Sequence, residues 1–192
     1  MNLTRMFLVA MAAIVLFSGV VYAQTAGVFQ LPFDPNQNWV DSNGITLVNP
    51  TNCGFGHNGY WDDPPNHGQT FMNLYVGHGY HMAEDWNGKC GASTDMYAPL
   101  YAIAEGVVVD ARIDLKFGGF LLIRHDLSNV TSRYVLYEHV NEIFVTIGQR
   151  VHPDRTRIAT IGEGNGQYPN AAHLHFEMRL NGNVVNPLNY LP

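Results

Sequence analysis

The sequence is poor in charge. Only 14% of its 192 residues are Asp, Glu, Lys or Arg, and 10 basic residues face 16 acidic ones. The resulting net charge of −6 offers no basic face of the kind a nucleic-acid partner needs. It also gives no general attraction to anionic polymers or membrane surfaces. Cysteine is scarce, with Cys53 and Cys90 alone, and neither sits in a Cys-x-x-Cys pair. There is no internal repeat, no low-complexity tract and no His-Glu-x-x-His helix motif. The last absence excludes the common helical zinc-protease scheme. No long helical pattern stands out, while 19 glycines suit a turn-rich β protein.

The first 23 residues read as a targeting segment. Arg5 gives a positive start, Met6 to Val21 is almost wholly apolar, and Val21-Tyr22-Ala23 offers small residues where a signal peptidase reads them. Cleavage is expected after Ala23, with export to the periplasm or the medium. The apolar run is short for a membrane span, so no stable membrane anchor is expected after cleavage. No Cys lies at the junction, which argues against a lipoprotein. In an exported chain, Cys53 and Cys90 are expected to form a disulfide, worth about 4 kcal/mol through loop closure. Paired Cys metal ligands are the alternative.

Residues 24–74 are polar and rich in Gly, Pro and Asn, and predict a loop-rich arm or cover. Trp39, Phe55, Tyr60 and Trp61 are its candidate anchors, while His57 and His67 read as solvated. From residue 75 the pattern becomes strand and turn. Strands are expected at Leu100–Ala104, Val107–Ala111, Phe120–His125, Tyr134–His139, Ile143–Val145, Arg157–Ile161 and around His173, with a closing segment at Val184–Pro187. A Gly-rich stretch at 162–170 reads as a flexible loop rather than a phosphate cradle, because no helix pattern comes after it. The fold class is therefore mainly β, an antiparallel domain over 75–192 preceded by a loop-rich arm over 24–74.

Chemistry concentrates at Ala172-His173-Leu174-His175-Phe176-Glu177-Met178-Arg179. In a strand, side chains alternate, so His173, His175, Glu177 and Arg179 share one face and Leu174, Phe176 and Met178 the other. Two imidazoles on one polar face can converge on a metal ion, or can be surface histidines on a half-buried strand. His81-Met82-Ala83-Glu84-Asp85 adds an imidazole and a carboxylate four residues apart, and His139 adds another nitrogen. Zinc takes such ligands tetrahedrally and, in catalytic sites, leaves one position open. In the expected strand at 134–139, Val135, Tyr137 and His139 share a face, so Tyr137 reads equally as packing or as a substrate contact. His125 reads as structural or exposed. His78, three residues before His81, reads as facing away.

His81-x-x-x-Asp85, Tyr137-Glu138-His139 and His173-Leu174-His175-Phe176-Glu177, in this order, resemble the M23 family of zinc metallopeptidases, which includes lysostaphin and LytM-type peptidoglycan endopeptidases. Ala98-Pro99-Leu100-Tyr101-Ala102, Glu105-Gly106-Val107-Val108, Ile147-Gly148-Gln149-Arg150-Val151 and Asn186-Pro187-Leu188-Asn189-Tyr190-Leu191 extend the likeness over residues 76–192. The resemblance implies one zinc ion held by His81, Asp85 and His175, with His139 and His173 as catalytic residues. It implies hydrolysis of peptide stems or cross-bridges of peptidoglycan through a zinc-activated water; the chain is expected to be a monomer. Non-catalytic wall-binding or regulatory relatives on the same fold usually lack zinc ligands, whereas all five positions are present here. One departure is Ala83, where many members have Gly; a positive φ there would strain an Ala by about 1 kcal/mol. Glu177 reads either as a partner orienting a ligand histidine or as a solvated residue.

Overall fold

The computed structural model describes residues 29–33, 39–40, 46–47, 55–57, 71–72, 74–75, 79–88, 93, 95–128, 131–153, 156–164 and 171–191. The targeting segment, Cys53, Cys90, His67 and His78 lie outside them, as do the side chains of Trp39, Phe55 and His57.

The chain runs through β1 (Trp39–Val40), β2 (Thr46–Leu47), β3 (Phe55–His57), β4 (Leu74–Tyr75), β5 (Gly79–Tyr80) and β6 (Glu84–Gly88). It continues through β7 (Pro99–Tyr101), β8 (Gly106–Asp114), β9 (Gly118–Ser128) and β10 (Thr131–Ile143). The last strands are β11 (Arg150–Val151), β12 (Arg157–Ile161), β13 (Leu174–Leu180) and β14 (Asn183–Val185). A single 3-10 turn at Pro187–Asn189, capped by the Asn186 side chain on the Leu188 N–H, is the one helical element among the described residues. The fold is the expected antiparallel one.

A ten-stranded sheet carries the domain, in the order β11-β8-β9-β10-β13-β6-β3. β12 pairs with β10 and β7, and β14 pairs with β13. Alternation works as it should in the central strands. Leu121 and Ile123 of β9, Val135 and Tyr137 of β10, and Leu174, Phe176 and Met178 of β13 are all fully buried. They meet Leu100, Ile103, Ile158 and Ile161 in one core. Trp86 stacks on Phe176 at 5.4 Å, and Tyr137 meets Phe176 edge-on at 5.3 Å. Tyr137 is thus packing, on the face opposite the site.

β10 is the long strand on which the domain turns. Its first half pairs with β13 from Arg133↔Leu180 to Glu138↔His175. Its second half leaves β13 and pairs with β12 at Val140↔Ile161 and Ile143↔Ala159. The exchange falls on a β-bulge between Glu138 and Val140, and His139 there has φ 61°. A bulge inserts one extra residue and re-aims the side chains beyond it. His139 therefore leaves the Val135 and Tyr137 face on which simple alternation put it. The expected strand at Ile143–Val145 also differs: Ile143 ends β10, and Phe144 leaves the sheet with its N–H on Ile158 O at 2.9 Å.

The preceding segment is joined to this domain. Phe29 and Phe33 are buried in its core, with Phe33 edge-on to Trp86 at 4.9 Å. Gln30 N–H donates to Ile103 O and Tyr101 N–H to Pro32 O. β3 adds an edge strand beside β6.

Candidate metal centre

Three adjacent strands deliver the site. β6 carries Asp85, with His81 just ahead of it; β13 carries His175, with His173 just ahead; β10 carries Glu138 and His139. His175 pairs directly with Asp85 on one side and with Glu138 on the other. The alternation read from sequence holds for β13, and His173 and His175 face the same point.

His81 Nε2, Asp85 Oδ1 and His175 Nδ1 form a triangle with sides of 3.0 Å (Asp85–His175), 3.1 Å (His81–His175) and 3.3 Å (His81–Asp85). Donors about 2.0–2.1 Å from a tetrahedral zinc stand roughly 3.3–3.4 Å apart along the edges of the tetrahedron. The triangle matches that spacing within a few tenths of an ångström. All three atoms carry lone pairs, and a cation at their common point satisfies them together. The donor set of two imidazoles and one carboxylate suits zinc and leaves a fourth position open. The residues present therefore fit the ion.

The electrostatics agree. Burial alone would raise the Asp85 carboxyl, but His173, then the hydrogen bonds of His175 and His81, hold it far below the ordinary carboxylate range. Burial would lower His175, yet its hydrogen bond to Asp85 and the nearby Asp85, Glu138 and Glu177 charges raise it.

His139 and His173 flank the triangle and are nearly buried, 5% and 7% exposed. Their rings lie 4.6 Å apart, and His139 stands 5.7 Å from the His175 ring. Each gives its Nδ1–H to a backbone carbonyl, His139 to Phe117 O at 2.7 Å and His173 to Ala171 O at 2.8 Å. A carbonyl can only accept, so the proton sits on Nδ1 and the Nε2 lone pair stays available. His173 Nε2 lies 3.8 Å from Asp85 Oδ2. Burial, with His173 and His175 beside it, lowers His139 to about 3, so its imidazole is neutral at ordinary pH.

Gly162 joins the two. Its N–H donates to His139 O at 2.7 Å, and its carbonyl accepts from His173 N–H at 3.3 Å. A Cβ there would lie 2.8 Å from Asn141 N and from His139 O. Gly162 is thus a fixed clamp, not the start of a flexible loop, and sequence reasoning missed its role. Ala83 is fully buried and is not among the described residues with positive φ, so the Gly-to-Ala departure strains nothing. His125 is structural: it is fully buried, pairs with Arg133 rather than with a site residue in the ladder, and donates from Nδ1 to Glu105 O at 3.0 Å. Glu177 is nine-tenths buried and paired with Arg179. The carboxylate nearest the outer nitrogen of His175 is Glu138, 3.9 Å from Nε2.

Residues 80–187 match the profile of Peptidase family M23, and this stretch holds all five site residues. The chain belongs to peptidase family M23. M23 is a peptidoglycan-related family of generally zinc-dependent peptidases. Over 129 residues this M23 chain is 30% identical to the murein hydrolase activator NlpD of Salmonella dublin, covering 67% of this chain and 30% of that protein. Over 103 residues it is 33% identical to the peptidoglycan DD-endopeptidase ShyC of Vibrio cholerae serotype O1, covering 52% of this chain and 22% of that protein. The M23 chain thus spans less than a third of either relative's length. The catalytic domain of lysostaphin from Staphylococcus simulans shares the fold, with a TM-score of 0.52 and 20% identity over 72% of this chain and 92% of that one.

Proposed function

We propose that this M23 protein is an exported zinc endopeptidase that hydrolyses peptide cross-links of bacterial peptidoglycan. His81, Asp85 and His175 hold the ion, and His139 and His173 are catalytic. The observation that carries the reading is the pairing of a tetrahedral-edge donor triangle with two further histidines whose Nδ1 protons are already committed to backbone carbonyls.

Bound in that triangle, zinc supplies Lewis acidity toward a substrate carbonyl and brings the pKa of a water near neutrality. The chain's own residues do the rest. One of the two Nε2 atoms, of His139 or His173, takes the proton of the attacking water and returns it to the departing amine, while the other, when protonated, donates to the developing oxyanion. Fixed ring orientation means that neither imidazole reorganises during the reaction. Residues 75–192 form the peptidase domain in this reading. In the same reading the 24–74 segment is an arm or cover of that domain, and the 1–23 segment directs export.

The name of the Salmonella relative favours a second reading, an activator of a separate murein hydrolase. One experiment separates the two. The chain from Gln24 is incubated with purified peptidoglycan, with and without a chelator, and products are identified by mass spectrometry. New amino termini that vanish on chelation support the endopeptidase and name the bond. A zinc-loaded protein that cuts nothing itself, yet accelerates an added murein hydrolase, overturns it in favour of the activator.

A further inference from the structure

The structure places a carboxylate against the outer nitrogen of a zinc ligand, and we infer that Glu138 is a positioning residue that takes the Nε2–H of His175. The inference rests on the assignment of His175 as a ligand through Nδ1. That assignment leaves the ring's proton on Nε2, and a largely buried N–H needs an acceptor. Glu138 and His175 are direct cross-strand partners, so their side chains leave the sheet on the same face. Glu138 Oε2 stands 3.9 Å from His175 Nε2, both side chains being more than four-fifths buried. This is ion-pair range, and one bridging water or a small χ rotation closes it to a hydrogen bond.

The carboxylate is costly where it stands. Burial first, then Glu177, Asp114 and Asp85, oppose its charge, and the His175 imidazole favours it. Glu177 lies across from Leu136 in the ladder and is occupied by Arg179. A carboxylate behind a ligand imidazole fixes the tautomer and strengthens the nitrogen that faces the metal. The Tyr137-Glu138-His139 segment thus serves the site twice: His139 flanks it, and Glu138 braces His175 from behind.

The test measures zinc affinity of the full chain by competition with a chromophoric chelator. Parent, Glu138→Ala, Glu138→Gln and His175→Ala are compared. Loss of the acceptor in Glu138→Ala weakens zinc about 10- to 100-fold. Glu138→Gln recovers most of that, because its amide oxygen still accepts. Zinc-free parent and Glu138→Ala melt at the same temperature, so the loss is one of binding rather than folding. Unchanged zinc affinity in Glu138→Ala, with His175→Ala still unable to bind, overturns the inference alone. So does a raised KM at unchanged zinc affinity, which would turn the carboxylate toward substrate. A parent that binds no zinc, or a His175→Ala variant that binds like the parent, overturns the ligand assignment and the inference with it.

Discussion

Acid will weaken this fold through a histidine that has no part in the proposed chemistry. His125 is fully buried, edge-on to Phe29 at 6.1 Å, and lies opposite Arg133 in the β9–β10 ladder. Its Nδ1 donates to Glu105 O, and its Nε2 has no hydrogen-bond partner among the described residues. Burial lowers its pKa from 6.5 to about 4, offset only in part by the Glu105 carbonyl and Asp126. Above pH 6.5 the ring is neutral in both states and contributes no pH dependence. Below that, the unfolded chain binds a proton that the folded chain refuses, so stability falls as pH falls and levels off beneath about pH 4. The full loss is about 3 kcal/mol, of which about 2 kcal/mol has gone by pH 5. His125→Asn keeps a side-chain N–H for Glu105 O and cannot titrate. Urea unfolding followed by tryptophan fluorescence at pH 7, 6 and 5, with chelator present throughout, compares parent with variant. The other titrating groups cancel in the difference. The parent is expected to lose about 2 kcal/mol more than His125→Asn between pH 7 and 5. Parallel pH profiles would refute the reasoning, since they would mean that the buried ring accepts its proton while folded.

The site and the sheet carry further expectations. His81→Ala and Asp85→Ala should each abolish both zinc retention, read by metal analysis after dialysis, and cleavage. His139→Ala and His173→Ala should keep the metal and lose about 10²- to 10⁴-fold in kcat; loss of zinc in either would make it a ligand instead. Gly119→Ala would drive a Cβ into the Val140 carbonyl oxygen, opposite the β10 bulge, and backbone must shift to admit it. A cost of about 1–3 kcal/mol in urea unfolding is expected, with activity falling as His139 moves. Phe33→Ala should cost about 3–5 kcal/mol by emptying the site against Trp86; a near-neutral result would detach residues 29–33 from the core.

Much of this was legible because one periodicity governs a strand. Leu174, Phe176 and Met178 are buried, and His173 and His175 converge, as two-residue alternation requires. His139 escaped that rule. Its bulge arises where β10 trades β13 for β12, a change of long-range partner that Glu138-His139-Val140 does not announce with a glycine or a turn residue. The same shift hid Glu138, whose facing residue is known only from the register. The arm's anchors were hidden for a related reason. Isolated aromatics in a polar stretch look alike, and Phe29 and Phe33 are distinguished by the Gln30 and Pro32 hydrogen bonds that dock their backbone. Gly162 read as loop because tight backbone approach leaves no mark on hydropathy.

The adjacency of β10, β13 and β6 has a mechanical consequence. Every side chain assigned to the centre hangs on, or one to three residues from, rungs of one continuous hydrogen-bonded ladder, so no hinge separates donor from donor. An ion seated there would rivet neighbouring strands, and binding to the folded state alone raises its stability. On heating, zinc-loaded protein should therefore lose its strand signal at a higher temperature than zinc-free protein, by a margin that grows with free zinc.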